Sequence, residues 1–255
     1  MGTSIRRDRI YYLLSPVAVL IAWEMAGRLG VLDTRFFPRP LVVLSALWKM
    51  VLSGELFIHM SASLTRTILG FAIGTLCGIL IGMVMGLVRP VRAFLTPLVA
   101  LTYPMPKLAI LPLIVLLLGI GELSKIVTIA IGVFFLVLIN TLVGVLNIPP
   151  VYFDLAKNYH LSRIAIYRHV ILPGALPMIF AGARLGMGSA LILVVSAEFM
   201  GAKTGLGYMI WQAWLTFSLD TMFIGLVMIA FLSILFSSAL DEIERRCIPW
   251  RQERA

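Results

Sequence analysis

The sequence predicts an all-α integral membrane protein with six transmembrane helices and both termini on the cytoplasmic side. Three observations set that fold class: an apolar composition, uninterrupted apolar runs of spanning length, and an uneven distribution of Lys and Arg. Of the 255 residues, 60% are hydrophobic and only 13% are charged, and mean hydropathy is +1.01; a soluble chain carries about a quarter charged residues. This composition argues against a globular cytosolic enzyme, a disordered chain and a secreted disulfide scaffold. Two cysteines, Cys77 in an apolar run and Cys247 near the C-terminus, indicate neither a disulfide framework nor a cysteine metal site. The formal charge of +9 suits nucleic acid in a soluble chain, but in this composition it reads as basic cytoplasmic loops.

A spanning helix needs about 20 mostly apolar residues. The first run, residues 10–27, is interrupted only by Pro16 and Glu24. Arg6, Arg7 and Arg9 precede it as they would a signal peptide, but no small-x-small cleavage site follows and Trp23-Glu24 stands in its place. It is read as a retained span. Residues 31–57 form an outer segment, broken by Phe36-Phe37-Pro38-Arg39-Pro40. Val42, Val43, Ala46, Leu47 and Met50 then recur at helical spacing, as in an amphipathic helix on the outer surface.

The second span, residues 67–88, contains no charge. Glycine recurs every fourth residue at Gly70, Gly74, Gly78, Gly82 and Gly86, a stripe that suits close helix contact of the small-xxx-small kind. Residues 94–121 make a third span unlike a plain helix, because Pro97, Pro104, Pro106 and Pro112 each remove a backbone donor. Freed carbonyls at membrane depth need protein or a water-filled cavity, and transport proteins place substrate paths at such breaks. Tyr103 to Leu111 is therefore assigned to an inner pathway, with a kinked but closed packing helix as the alternative. The fourth and sixth spans, 126–147 and 221–240, are free of charge, whereas the fifth, 174–199, holds Arg184 and Glu198.

With the N-terminus inside, Arg6, Arg7, Arg9, Arg89, Arg92, Lys157, Arg163, Arg168, Arg245, Arg246, Arg251 and Arg254 are cytoplasmic. Arg28, Arg35, Arg39, Lys49, Arg66, Lys125 and Lys203 are outside, a balance of twelve to seven that follows the positive-inside rule. Lys107, Arg184, Glu198 and Glu24 remain within spans, where ionisable groups face a cavity or one another. Lys107 either attracts an anionic solute or snorkels or pairs with an acid. Arg184 and Glu198 are 14 residues apart, about 21 Å along a helix, so they do not pair within the fifth span, and Glu198 is read as a gate or interface residue at the outer end. His59, His160 and His169 lack metal spacing; His59 falls at a membrane boundary and the other two in the cytoplasmic segment 149–173, where surface residues are the default expectation. Tyr103, Met105, Trp211 and Trp214 are pathway or interface candidates, with interfacial anchoring the stronger expectation for the tryptophans.

One cytoplasmic segment is substantial, residues 149–173. Pro149-Pro150 open a helix with Asp154 in its first turn, where the dipole favours an acid. Tyr152, Leu155, Ala156 and Tyr159 share one apolar face. A break near residues 160–162 precedes a second short helix, 163–170, which Leu172-Pro173 ends. Docking of a partner on this helix and its lying on the inner leaflet are equal readings from physics alone.

Asp154-Leu155-Ala156, His160 and Val170-x-Leu172-Pro173 have the spacing of the EAA loop of ABC importer permeases, E-A-A-x3-G-x9-I-x-L-P. Leu155 stands for an alanine and His160 for the turn glycine, which predicts a persistent but stiffer break. Phe37-Pro38-Arg39-Pro40, the run from Gly119 to Lys125, Asn140-Thr141 and Glu198-Phe199-Met200-Gly201-Ala202-x-x-Gly205-Leu206-Gly207 resemble the nitrate/sulfonate/taurine branch of these permeases across essentially the whole chain. The resemblance implies a type I ABC importer permease-like fold. Its permease core covers residues 58–245, with a coupling helix at 149–173, an N-terminal region 1–57 and a cytoplasmic tail 246–255. It implies a homodimer, two ABC ATPase subunits carrying ATP and Mg, and an extracytoplasmic solute-binding protein, in a bacterial inner membrane. No cofactor is expected on this chain and no enzymatic activity, since Gly201-Ala202-Lys203-Thr204 lacks the glycines of a phosphate loop. The solutes implied are small anions such as sulfonate, taurine or nitrate, with vitamin precursors such as a pyrimidine or riboflavin as an alternative. An ATP-independent carrier or channel is the rival class. An intramembrane enzyme would need a nucleophile with a base, or a cluster of His and carboxylates, and the sequence presents neither.

Overall fold

A computed structural model describes residues 2–250, with side chains from Leu14 onward. Arg6, Arg7 and Arg9 lie outside the described side chains, and Arg251 and Arg254 lie outside the described residues. Every regular element described is helical. Helix α1 (Gly2–Arg28) leads through a turn to α2 (Pro40–Leu52), then α3 (Glu55–Leu87), α4 (Arg89–Thr102), α5 (Lys107–Leu118) and α6 (Glu122–Leu146). The short α7 (Pro150–Asn158) and α8 (Arg163–Ile166) follow, then α9 (Leu172–Phe199), α10 (Leu206–Leu215) and α11 (Leu219–Cys247). Among the described residues four helical stretches are long and apolar enough to cross a membrane, and a fifth is the pair α4 and α5, bent by 99°.

The expected second span starts twelve residues early, at Glu55, because residues that look like an outer loop continue the helix as a buried polar stripe. His59, Ser63 and Arg66 lie on the face that then becomes the glycine stripe. Along this stripe α3 meets α6 backbone to backbone. A Cβ at Gly74 would stand 2.5 Å from the Ala130 carbonyl oxygen, one at Gly78 2.8 Å from that of Phe134, and one at Gly82 2.7 Å from that of Leu138. Ile129, Val133, Val137, Thr141 and Val145 of α6 fit the spaces left by the missing side chains. Helix α9 closes the other side of α6, where Gly182 faces Val137 and Asn140. Ile129, Val133, Val137, Ala190 and Val194 fill the centre of this three-helix core.

The break in the third apolar run falls at Tyr103–Pro106. Pro104 and Pro106 occupy it, whereas Pro97 and Pro112 are held inside α4 and α5. The cytoplasmic segment departs from expectation in three ways. Helix α7 starts at Pro150, so Asp154 sits one turn in rather than in the first turn. Its buried residue is Ala156, and Phe153 is partly buried against the cluster that includes Met83, Val145 and Ile148, while Tyr152, Leu155 and Tyr159 of the expected apolar face are exposed. Leu172-Pro173 ends nothing: α8 runs through a π-helical turn, Tyr167–Ile171, into α9. The widened turn sends the Leu172 N–H to the Tyr167 carbonyl, just where an α-turn would press the Pro173 ring on the carbonyl four residues back.

Candidate functional site

Three clusters of polar or exposed residues stand out against the apolar body. The first joins α3, α6, α9 and the segment leading into α10. Arg66, only 2% exposed, donates from Nε and Nη2 to the Glu122 carboxylate at 2.5 and 2.7 Å. Its Nη1 donates to Glu198 at 2.7 Å and to the Thr204 carbonyl at 2.6 Å. Glu198, wholly buried, also accepts from the Ser63 hydroxyl at 2.7 Å and the Gly207 N–H at 2.7 Å. Ser63 accepts in turn from the Leu206 N–H at 2.8 Å. The free amides opening α10 thus meet a carboxylate and a hydroxyl, the arrangement that a helix N-terminus favours. Gly205 is required there: its φ is +128°, and a Cβ would collide with the Glu198 carboxylate.

This cluster corrects four readings. Glu198 is sealed inside the protomer rather than presented at an interface. Arg66 and Lys125 are buried, not loop cations; Lys125 donates to the Gly121 carbonyl at 2.8 Å. His59 is buried rather than on the surface: its Nδ1 accepts from the Gly205 N–H at 3.1 Å, and its ring stacks on Tyr208. The signal for Arg66 was present in the spacing of His59, Ser63 and Arg66, i, i+4 and i+7, continuous with the glycine stripe.

The second cluster lines a groove of about 590 Å³ between α5 and α9, bordered by Pro106, Lys107, Arg184, Gly188 and Ser189 among others. Lys107 neither snorkels nor pairs with an acid. Its ammonium donates to the carbonyls of Thr102, Tyr103 and Met105 at 2.9, 2.8 and 2.9 Å, satisfying the backbone freed by the break at the C-terminus of α4. It also lies 4.6 Å from the Phe135 ring centroid, within cation–π range. Arg184 is not stranded in the membrane, since Nη2 donates to Asp241 and Glu244 of α11, each at 2.6 Å. Its side chain nevertheless stays 51% exposed. Of the residues assigned to a pathway, Pro106, Lys107 and Arg184 therefore share one groove, Tyr103 and Pro104 lie exposed at its rim in the break, and Glu198 stands apart. Trp211 packs in tilted ring contacts with Phe199 and Trp214, at 5.3 and 5.0 Å between centroids. Glu24, on α1, pairs with Arg28 at 2.7 Å and accepts the Leu41 N–H at 3.2 Å.

The third cluster is the α7 surface. The helix ends in a Schellman turn: the Leu161 N–H reaches the Ala156 carbonyl at 3.0 Å and the His160 N–H that of Lys157 at 2.9 Å. His160 takes the left-handed conformation there, φ +51°, at the position that the glycine of the EAA pattern occupies. Ser162 caps α8 by accepting the Ala165 N–H at 3.3 Å. Tyr159 and Ile164 are 77% and 80% exposed, and Tyr152, Leu155 and Tyr167 are exposed with them along α7, α8 and the π turn. Asp154, 68% exposed, makes only a loose pair with Lys157 at 3.4 Å.

Comparison with known proteins gives consistent results. The family described as "Binding-protein-dependent transport system inner membrane component" matches residues 74–248. A Bacillus subtilis protein with the provisional name of an aliphatic sulfonates transport permease, SsuC, is 36% identical over 94% of this chain and 87% of its own length. The taurine transport system permease protein TauC of Escherichia coli is 36% identical over 94% of this chain and 90% of its own. Among solved structures, the inward-facing MetNI methionine ABC transporter shares the fold, with a TM-score of 0.63 at 20% identity over 82% of this chain and 98% of the matched one.

Proposed function

Because the chain belongs to the binding-protein-dependent inner-membrane transport family, we propose that it is the permease subunit of an ATP-driven importer of a small sulfonate-type anion. It is a multi-pass inner-membrane protein. In this reading α7 faces the cytoplasm, α1 is the sixth span, and both termini are inside. The exposed α7 surface carries the reading. Tyr152, Leu155 and Tyr159 are too apolar for a solvated loop end, yet Asp154 and Lys157 interrupt them, a combination suited to a protein partner that offers both apolar and charged contacts. That partner is an ATPase subunit with ATP and Mg, one on each of two permease copies.

ATP binding draws the two docked helices together, and the continuous helix through α8, the π turn and α9 carries the motion to Arg184 and the groove. The device works by differential affinity: the ATPase must hold α7 differently in its two states, or nothing shifts. In the groove, Lys107 and Arg184 supply positive potential to an anion delivered by a binding protein. Both are held by neighbours, so the anion meets a fixed field rather than mobile side chains. The sulfonate and taurine names of the relatives support an anion over a vitamin precursor, and nitrate is chemically admissible.

The test is ATP-driven uptake by proteoliposomes containing the chain, its co-purifying ATPase and its binding protein. Asp154→Lys is expected to insert and fold normally but to abolish uptake and ATPase co-purification. Uptake at the original rate in that variant refutes docking at α7, and uptake without nucleotide favours a carrier.

A further inference from the structure

A second cavity pair lies outside the importer machinery, where α1, α2 and α11 meet at the end opposite α7. Its lower part is a groove of about 530 Å³ between α1 and the body, walled by Val17, Leu20, Ile21, Leu44, Leu47 and Val227. The upper part is a polar cavity of about 460 Å³ bordered by Arg28, Thr34, Arg39 and Asp220. Arg28 borders both, and the chain at Pro40–Val43 runs along their junction. The groove extends along α1 from Val17 to Arg28, eleven residues or about 16 Å, which is half of the roughly 30 Å hydrocarbon thickness and so the depth of one leaflet.

The charges at the top are arranged for a ligand. Glu24 is consumed by Arg28 and by the Leu41 N–H, which pins α1 to the start of α2. Arg39 lays its stem on Gly27, where a Cβ would stand 2.7 Å from Arg39 Cγ. The half-buried Arg39 guanidinium and Asp220 carboxylate border the same cavity but make no ion pair with each other. With Arg28 turned to Glu24, the cation of Arg39 and the anion of Asp220 are left apart above a one-leaflet apolar groove and match a zwitterionic phospholipid.

We propose that this is a phospholipid site in the leaflet opposite α7, with an acyl chain in the groove, the phosphate at Arg39 and the headgroup ammonium at Asp220. The bound lipid fills the gap between α1 and the body, beside the Trp23–Phe223 ring contact at 5.4 Å. A phosphatidylethanolamine headgroup satisfies both charges; phosphatidylglycerol satisfies only Arg39.

The full chain, delipidated in detergent and titrated with dioleoyl-phosphatidylethanolamine, is expected to show a one-to-one adduct by native mass spectrometry and a raised Tm. Arg39→Gln weakens the adduct about tenfold, the loss of one hydrogen bond to a charged group, and Arg39→Lys retains most of it. Asp220→Asn removes the preference for phosphatidylethanolamine over phosphatidylglycerol while keeping binding of both. Leu44→Trp blocks the groove and lowers affinity for either lipid. The assignment is overturned if Arg39→Gln and Leu44→Trp bind lipid as the unaltered chain does, or if sodium phosphate alone reproduces the Tm shift. It is also overturned if Leu44→Cys, in a Cys77→Ser and Cys247→Ser background, cross-links two copies of the chain, because a second copy then covers the groove.

Discussion

The α3–α6–α9 end and the α5–α9 groove both hold charge within the membrane, and they use it in opposite ways. Around Arg66 the Glu198 carboxylate, the Ser63 hydroxyl and the α10 amides are turned inward, and Arg66, Ser63 and Glu198 are almost wholly removed from solvent, while the second carboxylate, Glu122, is 63% exposed. Around Lys107 and Arg184 the charges are also partnered, but Arg184 keeps half of its side chain open beside a groove. Burial with complete pairing leaves a charge nothing to offer a ligand. Partial exposure with fixed pairing leaves a field that a passing anion can feel. The first region therefore sets the fold at one end, and the second is the one suited to transport.

The sharpest way to break this comparison is to orphan a sealed charge. Glu198→Ala leaves Arg66 buried with half its pairing and is expected to cost about 3–5 kcal/mol, read as a large fall in Tm or loss of folded yield in detergent. If its Tm is unchanged, the network is not a structural latch. Gly78→Leu comes next, since the α6 backbone leaves no room for a side chain; overpacking of this kind costs about 1–3 kcal/mol and is measurable in the same melt. Ser63→Ala removes a donor to Glu198 and the acceptor of the Leu206 N–H and is expected to cost about 1–3 kcal/mol. In the open region Arg184→Gln keeps hydrogen-bonding capacity toward Asp241 and Glu244, so the Tm should move by less than about 1 kcal/mol equivalent while uptake falls. The smallest effect on stability belongs to Asp154→Ala, whose exposed pair with Lys157 contributes about 0–1 kcal/mol; a large destabilisation there would mean that α7 is a packing element instead of a docking surface.

How much of this was legible depended on whether polarity and burial agreed. The apolar runs that became α6, α9 and α11 were plain, and the prolines located the break between α4 and α5. The glycine stripe announced close packing because no other residue permits a carbonyl at that distance. What hydropathy hid was polar burial. Arg66, His59 and Lys125 look like outer-loop residues until α6, α9 and the α10 amides close over them, and a polar side chain with internal partners has the same sequence signature as a solvated one. The start of α3 was misplaced for the same reason. Local sequence shows no partner for Arg184, because Asp241 and Glu244 come from a different helix 57 and 60 residues on. The π turn before Pro173 had no local signal, since a proline that ends one helix and a proline accommodated by a widened turn read alike. On α7, periodicity identifies an apolar face but not which residues the body covers: Ala156 is buried, and Phe153 packs on the cluster that holds Met83, Val145 and Ile148, residues from other helices.

The claim that the open charges serve the solute is tested most directly by the initial rate of ATP-driven uptake of a small alkanesulfonate into proteoliposomes, comparing Lys107→Met with the unaltered chain at equal amounts of folded protein. The account predicts a clear fall in rate, with α7 docking and ATPase co-purification intact. Uptake with unchanged rate and apparent affinity would contradict it, and would reduce Lys107 to a cap on the broken helix.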